Sequence, residues 1–282
     1  MRPAPFRYRE PRSLDEACAV LAAEPGDVAV LAGGQSLVPQ LNARTRTPGL
    51  VLAIGRVPEL GGVTLDGDRL RIGAAVTQRT VQHDPLAARV PVLVEALGHV
   101  GHVPTRNRGT VGGSIAFADP AAELPLVLLA LGGVAVAHSA SGQRRIPAAE
   151  LFTGPFRTSL RPDELLTAVE LPVPAHPWVF EQRHFRRHAK VSAVAGHGPD
   201  GALTVAVTGV GGTPVVVPTP GAGGAGDADA VAAAATDLVL PNGDRYGSVA
   251  YRRRLVAVAV AAALSRVTPD PTHHTPSREE AA

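Results

Sequence analysis

Two glycine-centred stretches carry the residues best suited to chemistry. VAVLAGGQSLVPQLNAR runs from Val28 to Arg44 and sets Gly33-Gly34 between an apolar run and the polar pair Gln35-Ser36. TRNRGTVGGSIAFADPAAELP runs from Thr105 to Pro125 and gathers Gly109, Thr110, Gly112, Gly113 and Ser114 between arginines and Asp119. Paired glycines let successive N–H groups converge on an anionic oxygen, and Ser36, Thr110 and Ser114 add hydroxyl donors. Such a nest binds phosphate without a lysine, and two of them could grip a pyrophosphate from both sides. A lone Gly-Gly is most often a tight turn or bulge, because glycine is the default turn residue. Two such stretches with polar residues in phase point to a ligand without naming it.

Other constellations carry less. GAGGAG (Gly221 to Gly226) satisfies a dinucleotide-binding glycine pattern, but Pro218 and Pro220 separate it from the preceding valine run, so a flexible linker is expected. His99 and His102 have the spacing of two imidazoles on one helix face, with no third ligand nearby. Asp163-Glu164 reads as an exposed turn before a strand. There is no G-x-S-x-G and no Ser-His-Asp set to suggest a hydrolase.

The elements that must position these residues follow from periodicity. SLDEACAVLAA (Ser13 to Ala23) reads as a capped helix, VAVLA (Val28 to Ala32) as a buried strand, and LVLAI (Leu50 to Ile54) and RLRIGAAV (Arg69 to Val76) as strands. Helices are expected from Thr77, over Val92 to Val100 and over Ala121 to Leu131. VAVAHS, ELLTAVEL, WVFEQRHFRR, SAVAGHG and ALTVAVTGVGG read as later strands. An alanine-rich helix (Ala228 to Asp237) and a last helix (about Ser248 to Val267) follow. Strands and helices do not alternate regularly, so the expected fold class is a mixed α+β fold. Prolines near Pro172, Pro174 and Pro177 mark a domain boundary, giving domains 1–174 and 178–267, and the polar tail 268–282 is expected to be disordered.

The chain has 282 residues, 45% of them hydrophobic, and a net charge of +2, which describes a globular protein with no nucleic-acid footprint. Lys190 is its only lysine and Cys18 its only cysteine, so this chain alone forms no disulfide, thiolate zinc site or iron–sulfur cluster. The N-terminus lacks the apolar core of a signal peptide, and no apolar run reaches membrane-spanning length, so a cytoplasmic protein is expected.

The two glycine stretches closely resemble the FAD-binding medium subunit of the molybdenum hydroxylases, the group of carbon monoxide dehydrogenase and xanthine dehydrogenase. RRIPAAELFTGPFRTSLRPDELLTAVELP (Arg144 to Pro172) is similar to the stretch that closes that family's flavin domain. DRYGSVAYRRRLVAVAV (Asp244 to Val260) is similar to its C-terminal domain. The resemblance implies an FAD domain of two α+β subdomains and a small C-terminal domain with a three-stranded antiparallel sheet and helices. It implies that Leu31, Ala32, Gly33, Gly34, Gln35, Ser36 and Leu37 wrap the pyrophosphate. Thr110, Gly112, Gly113 and Ser114 would then supply a second grip. Asp119 would lie near the ribityl or isoalloxazine part, and Leu166 would pack near the ring.

Two departures stand out. Lys190-Val191 follows Arg186-Arg187-His188-Ala189, where the family often has an acidic residue and an aromatic, so a flavin-covering aromatic is missing and a cation is expected close to the flavin. Val103-Pro104-Thr105 replaces the commoner Pro-Gln-Ile. The implied partners are a large subunit holding the molybdenum cofactor and a small subunit carrying [2Fe–2S] clusters, whose electrons reach FAD and pass to an external acceptor. A stand-alone flavin oxidoreductase and a scaffold that has lost flavin are the alternatives. The subunit reading requires no catalytic acid or base in this chain, and no catalytic tyrosine, histidine or flavin-linking residue stands out to favour a stand-alone enzyme.

Overall fold

The computed structural model describes residues 2–24, 26–183, 191–219, 228–239 and 248–267. Lys190 and the run before it, the GAGGAG segment and the tail from residue 268 lie outside the described residues.

Strands β1 (Arg7–Arg9), β2 (Val28–Leu31) and β3 (Leu50–Ala53) form a parallel sheet in the order β1-β3-β2. β3 is buried along its whole length, as the middle strand of a parallel sheet requires. Helix α1 (Leu14–Ala23) connects β1 to β2. Ser13 caps it by accepting from the Glu16 N–H at 3.1 Å, and Asp15 and Glu16 complement the helix dipole. Helix α2 (Leu37–Ala43) connects β2 to β3 and ends at Arg44 in a left-handed cap. Cys18 is buried on the inner face of α1, its Sγ 3.6 Å from the His138 carbonyl oxygen, and burial pushes the thiol up. A thiolate-selective alkylator should therefore leave the native chain unlabelled at neutral pH and label it after denaturation. Rapid labelling of folded protein would contradict this packing.

A second sheet begins with β4 (Val63–Asp66) and β5 (Arg69–Gly73). The chain then runs through α3 (Gln78–Gln82), α4 (Pro91–His99), α5 (Val103–Arg108), α6 (Val111–Phe117) and α7 (Glu123–Ala130). It returns as β6 (Val134–Ser139) and β7 (Gly142–Pro147), followed by α8 (Ala148–Leu151), a short hairpin of β8 (Phe152–Gly154) and β9 (Arg157–Thr158), and β10 (Leu165–Pro172). The order β4-β5-β10-β6-β7 is antiparallel throughout and puts β10, nearly all buried, in the middle. Leu70, Ile72, Leu97, Leu126, Leu128 and Ile146 are fully buried between this sheet and the helices.

The third sheet is a meander of four strands, β11 (Trp178–Arg183), β12 (Val191–His197), β13 (Leu203–Thr208) and β14 (Val215–Val217). The expected sheet had three. β14 follows Thr213-Pro214 directly and is too short to show a period, so proline chemistry masked it. Alternation along β12 and β13 serves two layers. Val191, Ala193, Ala195, Val205 and Val207 pack with α9 (Ala228–Asp237) and α10 (Val249–Val267), while Val194 and Ala206 turn to the core that contains α4 and α7. Arg266 of α10 ties the layers together, bonding Glu95 at 3.0 Å, Glu181 at 2.9 Å and the Phe180 carbonyl at 3.0 Å.

The mixed α+β class stands, and α9 runs from the expected residue to the expected residue. His99 ends α4, with its ring 5.1 Å from that of Phe180, and His102 opens α5, so the pair does not share one helix face. No described helix is long and apolar enough to cross a membrane.

Candidate functional site

The two glycine stretches meet at one large cavity of about 1010 Å³, at the top of the ~300–1,000 Å³ usual for cofactor sites. Ala32, Gly33, Gly34, Gln35, Ser36 and Leu37 line it from the β2–α2 junction. Thr110, Gly112, Gly113 and Ser114 line it from the head of α6, Asp119 from beyond that helix, and Leu166 from β10. Leu31 is the exception, lying in β2 and packing in the small core of Ala29, Leu37, Leu41 and Val51.

The glycines do different jobs. A Cβ on Gly33 would sit 2.7 Å from the Gly109 Cα and overlap the Arg108 carbonyl oxygen. What lies too close for a side chain at Gly33 is thus the backbone of the second stretch, and this residue joins the two loops. Gly34 has φ +76°, a left-handed conformation in which a β-carbon is strained. Gly112 lets α6 press onto Ala74, whose backbone oxygen would be 2.7 Å from an added Cβ.

The hydrogen bonds separate the loops further. The two stretches do not offer the same donors. In the second stretch the N–H groups from Val111 to Ser114 are engaged internally. Val111 donates to the Val76 carbonyl at 3.0 Å, Gly112 to the Ala74 carbonyl at 3.1 Å, Gly113 to Thr110 Oγ1 at 2.9 Å and Ser114 to the Thr110 carbonyl at 3.1 Å. Thr110 is an ordinary N-cap, and from Val111 to Ser114 this stretch offers hydroxyls rather than backbone donors. In the first stretch the N–H groups of Gly33, Gly34, Gln35, Ser36 and Leu37 find no protein acceptor among the described residues. Ser36 makes no side-chain cap to α2, so its hydroxyl is open too. The row of open backbone donors therefore lies on the first loop, at a helix start, the kind of place that suits an anion.

Residues the sequence reading passed over complete the cavity. Gln78 is 4% exposed and lines it, and its Oε1 is buried without a hydrogen-bond partner. Its N–H holds the Gly109 carbonyl at 2.8 Å. The one available signal was its place in the first turn after Thr77, whose hydroxyl caps α3. Arg106, 8% exposed, donates to Gln82 at 3.1 Å and to the Val100 carbonyl at 2.9 Å, which fixes the wall at Val100 and Gly101.

Glu164 overturns the exposed-turn reading. Its side chain is 1% exposed and lines the cavity, paired with Arg144 at 2.6 and 2.8 Å and with the Arg161 guanidinium at 3.0 Å and N–H at 2.7 Å. The hydrogen bond from Arg144, seconded by the Arg161 N–H and both charges, holds its carboxyl below the usual carboxylate range against the opposing effect of burial. Just beyond, a register shift between Leu166 and Ala168 re-aims β10, and Thr167 anchors the bulge by donating to the Val136 carbonyl at 3.0 Å. Asp119 accepts from the Ala121 N–H at 2.9 Å, shaping the turn into α7.

An array of unpartnered N–H groups, an orphaned buried acceptor and a cavity this large fit a dinucleotide with two phosphates. Residues 4–174 match the family described as FAD binding domain in molybdopterin dehydrogenase. The chain belongs to this family. It is 42% identical over 174 residues to the nicotine 6-hydroxylase medium subunit of Paenarthrobacter nicotinovorans, a match covering 61% of this chain and 61% of that protein. It is 30% identical over 281 residues to the carbon monoxide dehydrogenase medium chain of Afipia carboxidovorans, covering 94% of this chain and 98% of that one. Quinoline 2-oxidoreductase from Pseudomonas putida 86 has a chain of the same fold, with a TM-score of 0.86 at 32% identity over 95% of this chain and 98% of that chain. The chain thus spans about three-fifths of the length of the nicotine 6-hydroxylase subunit but nearly all of the carbon monoxide dehydrogenase one. Residues 4–174 are thus an FAD-binding domain of this family, and the cavity is the place in this fold whose donors and size suit FAD.

Proposed function

We propose that this chain holds FAD along the cavity and serves as the electron-transfer subunit of a molybdenum-containing hydroxylase. It would receive electrons from iron–sulfur clusters of a partner subunit and pass them to an external acceptor. The observation that carries the reading is the row of unpartnered N–H groups from Gly33 to Leu37 beside the second loop. When bound, FAD supplies the redox chemistry, taking electrons singly and giving them up in pairs.

The chain's own residues bind and orient. The Gly33–Leu37 donors and the Ser36 hydroxyl take the pyrophosphate, with Thr110 and Ser114 adding hydroxyls from the other side. Gln78 Oε1 accepts from a hydroxyl or amino group of the adenosine half, since Thr77 before it bridges Thr110 at the start of α6 and its own N–H holds the Gly109 carbonyl. Asp119 and Leu166 face the other half. No side chain here is assigned an acid–base role, because substrate oxidation belongs to the molybdenum subunit. Nicotine, carbon monoxide and quinoline are named for the relatives, and the substrate of this complex is read by its large subunit. The division into an FAD domain at 1–174 and a C-terminal domain at 178–267 belongs to the same proposal.

Purification with its partners tests the assignment. One FAD per chain, with molybdenum and iron in the co-purifying subunits, is expected. Turnover of an organic substrate by the lone chain would point instead to a self-sufficient oxidoreductase. Gln78→Leu tests the adenosine contact. Loss of a hydrogen bond worth about 1–1.5 kcal/mol should weaken FAD binding roughly tenfold with the fold intact. Unchanged affinity in this variant would remove Gln78 from the site.

A further inference from the structure

The turn between β8 and β9 holds an aromatic residue where the backbone calls for glycine. Gly154 pairs with Arg157, leaving Pro155 and Phe156 as the two turn residues. Phe156 has φ +57°, in the left-handed region, at the position after proline where such turns ordinarily carry glycine or asparagine. The surroundings hold it there. Its N–H donates to the carbonyl of Ala118 at 2.9 Å, and Ala118 is itself left-handed at φ +50°. An added Cβ on Gly212 would be 2.9 Å from Pro155 Cδ, so the third sheet's loop backs the same turn. The Phe156 ring is not repaid by burial, being 55% exposed. It lines the cavity and meets Phe117 with ring centroids 5.1 Å apart at 54°. A strained aromatic left open on a cavity wall is a feature that a ligand explains.

Its position says which part of the ligand. The cavity follows α6. The Thr110 end stands beside the first loop, and Phe117 is at the far end of that 7-residue helix, about 10 Å away. The wall near the Thr110 end is built from Val100, Gly101, Thr105 and Gln78, with no aromatic. Among the described lining residues Phe117 and Phe156 are the only aromatic rings. A broad tricyclic ring needs a broad apolar face more than adenine does. Building on the FAD reading above, we propose that Phe156, backed by Phe117, forms the wall against which the isoalloxazine ring lies. Phe156 is a positioning residue for the ring, and it supplies an aromatic cover from the β8–β9 turn.

The test uses the complex as purified, with the bound flavin extracted and counted and spectra recorded under saturating FAD. Phe156→Gly suits the left-handed backbone and removes only the ring. Phe156→Trp keeps a ring and makes it a better electron donor. Phe156→Gly should shift the flavin's long-wavelength absorption band as one ring face meets water. Phe156→Trp should add a broad absorption tail to the red of that band, the charge-transfer signature of indole against isoalloxazine. Both variants carrying one FAD per chain with spectra superimposable on wild type would overturn the proposal and put adenine at this end. A wild-type chain that takes up no FAD would instead strike at the flavin reading itself.

Discussion

Replacing Gly33 by valine should strip the chain of flavin and lower its stability. The Cβ alone would overlap the Arg108 carbonyl oxygen and stand 2.7 Å from the Gly109 Cα. Both obstacles are backbone, and that backbone is held from the other side by the Gln78 N–H on the Gly109 carbonyl at 2.8 Å. Nothing there can swing aside as a side chain would. The loops must part, and overpacking of this kind costs about 1–3 kcal/mol before any ligand is considered. Parting them moves the first loop's donors away from the second loop's hydroxyls. Gly34→Ala makes a useful contrast. Its neighbours are the flexible ends of Leu31 and Val38, each 3.2 Å away, so its cost is mainly the left-handed φ, about 1–2 kcal/mol. Denaturation midpoints and extracted flavin per chain measure both. A Gly33→Val chain with full flavin and wild-type stability would mean that the loops are not joined as described.

Glu164→Ala is expected to be the second severe change. It leaves the Arg144 and Arg161 guanidinium groups without their shared anion and the Arg161 N–H without its acceptor. Removing one partner of a buried pair typically costs about 3–5 kcal/mol, and the partial exposure of both arginines reduces this to about 2–3 kcal/mol. The turn that Glu164 organises presents Leu160, Leu165 and Leu166 to the cavity, so flavin affinity should fall with stability. The pH dependence has a definite sign. A carboxyl held lower in the folded state than in the unfolded chain stabilises fully above the unfolded value, about 4.3. That contribution disappears as pH falls through the lower, folded value. The stability gap between wild type and Glu164→Gln should therefore be constant near neutrality and close in acid. A gap that widens below pH ~4 would contradict the pairing.

Periodicity made much of the scaffold legible. β2 and β3 are unbroken apolar runs, and α1 declares itself through Ser13 and the acids that follow. α6 was hidden because two of its seven residues are glycines, which disfavour helix. It exists because Thr110 caps it and Ala74 and Val76 hold its first N–H groups, all tertiary facts. The same contacts explain why the second loop has fewer open backbone donors than its glycines suggest, since sequence lists donors without saying which are already engaged. Glu164 follows an aspartate in a turn-like stretch, and only the fold brings Arg144 across from β7 to bury it. Gln78 was invisible for a similar reason, its importance lying in an unmet hydrogen bond.

Competition against bound FAD by ADP and by adenosine is the most direct test of the central claim, that backbone donors at the head of α2 grip a pyrophosphate. The two competitors share a base and sugar and differ only in the phosphates. Two or more hydrogen bonds to charged oxygens, at about 1.5–3 kcal/mol each, should make ADP at least about a hundredfold the better competitor. Equal competition by adenosine would contradict the account.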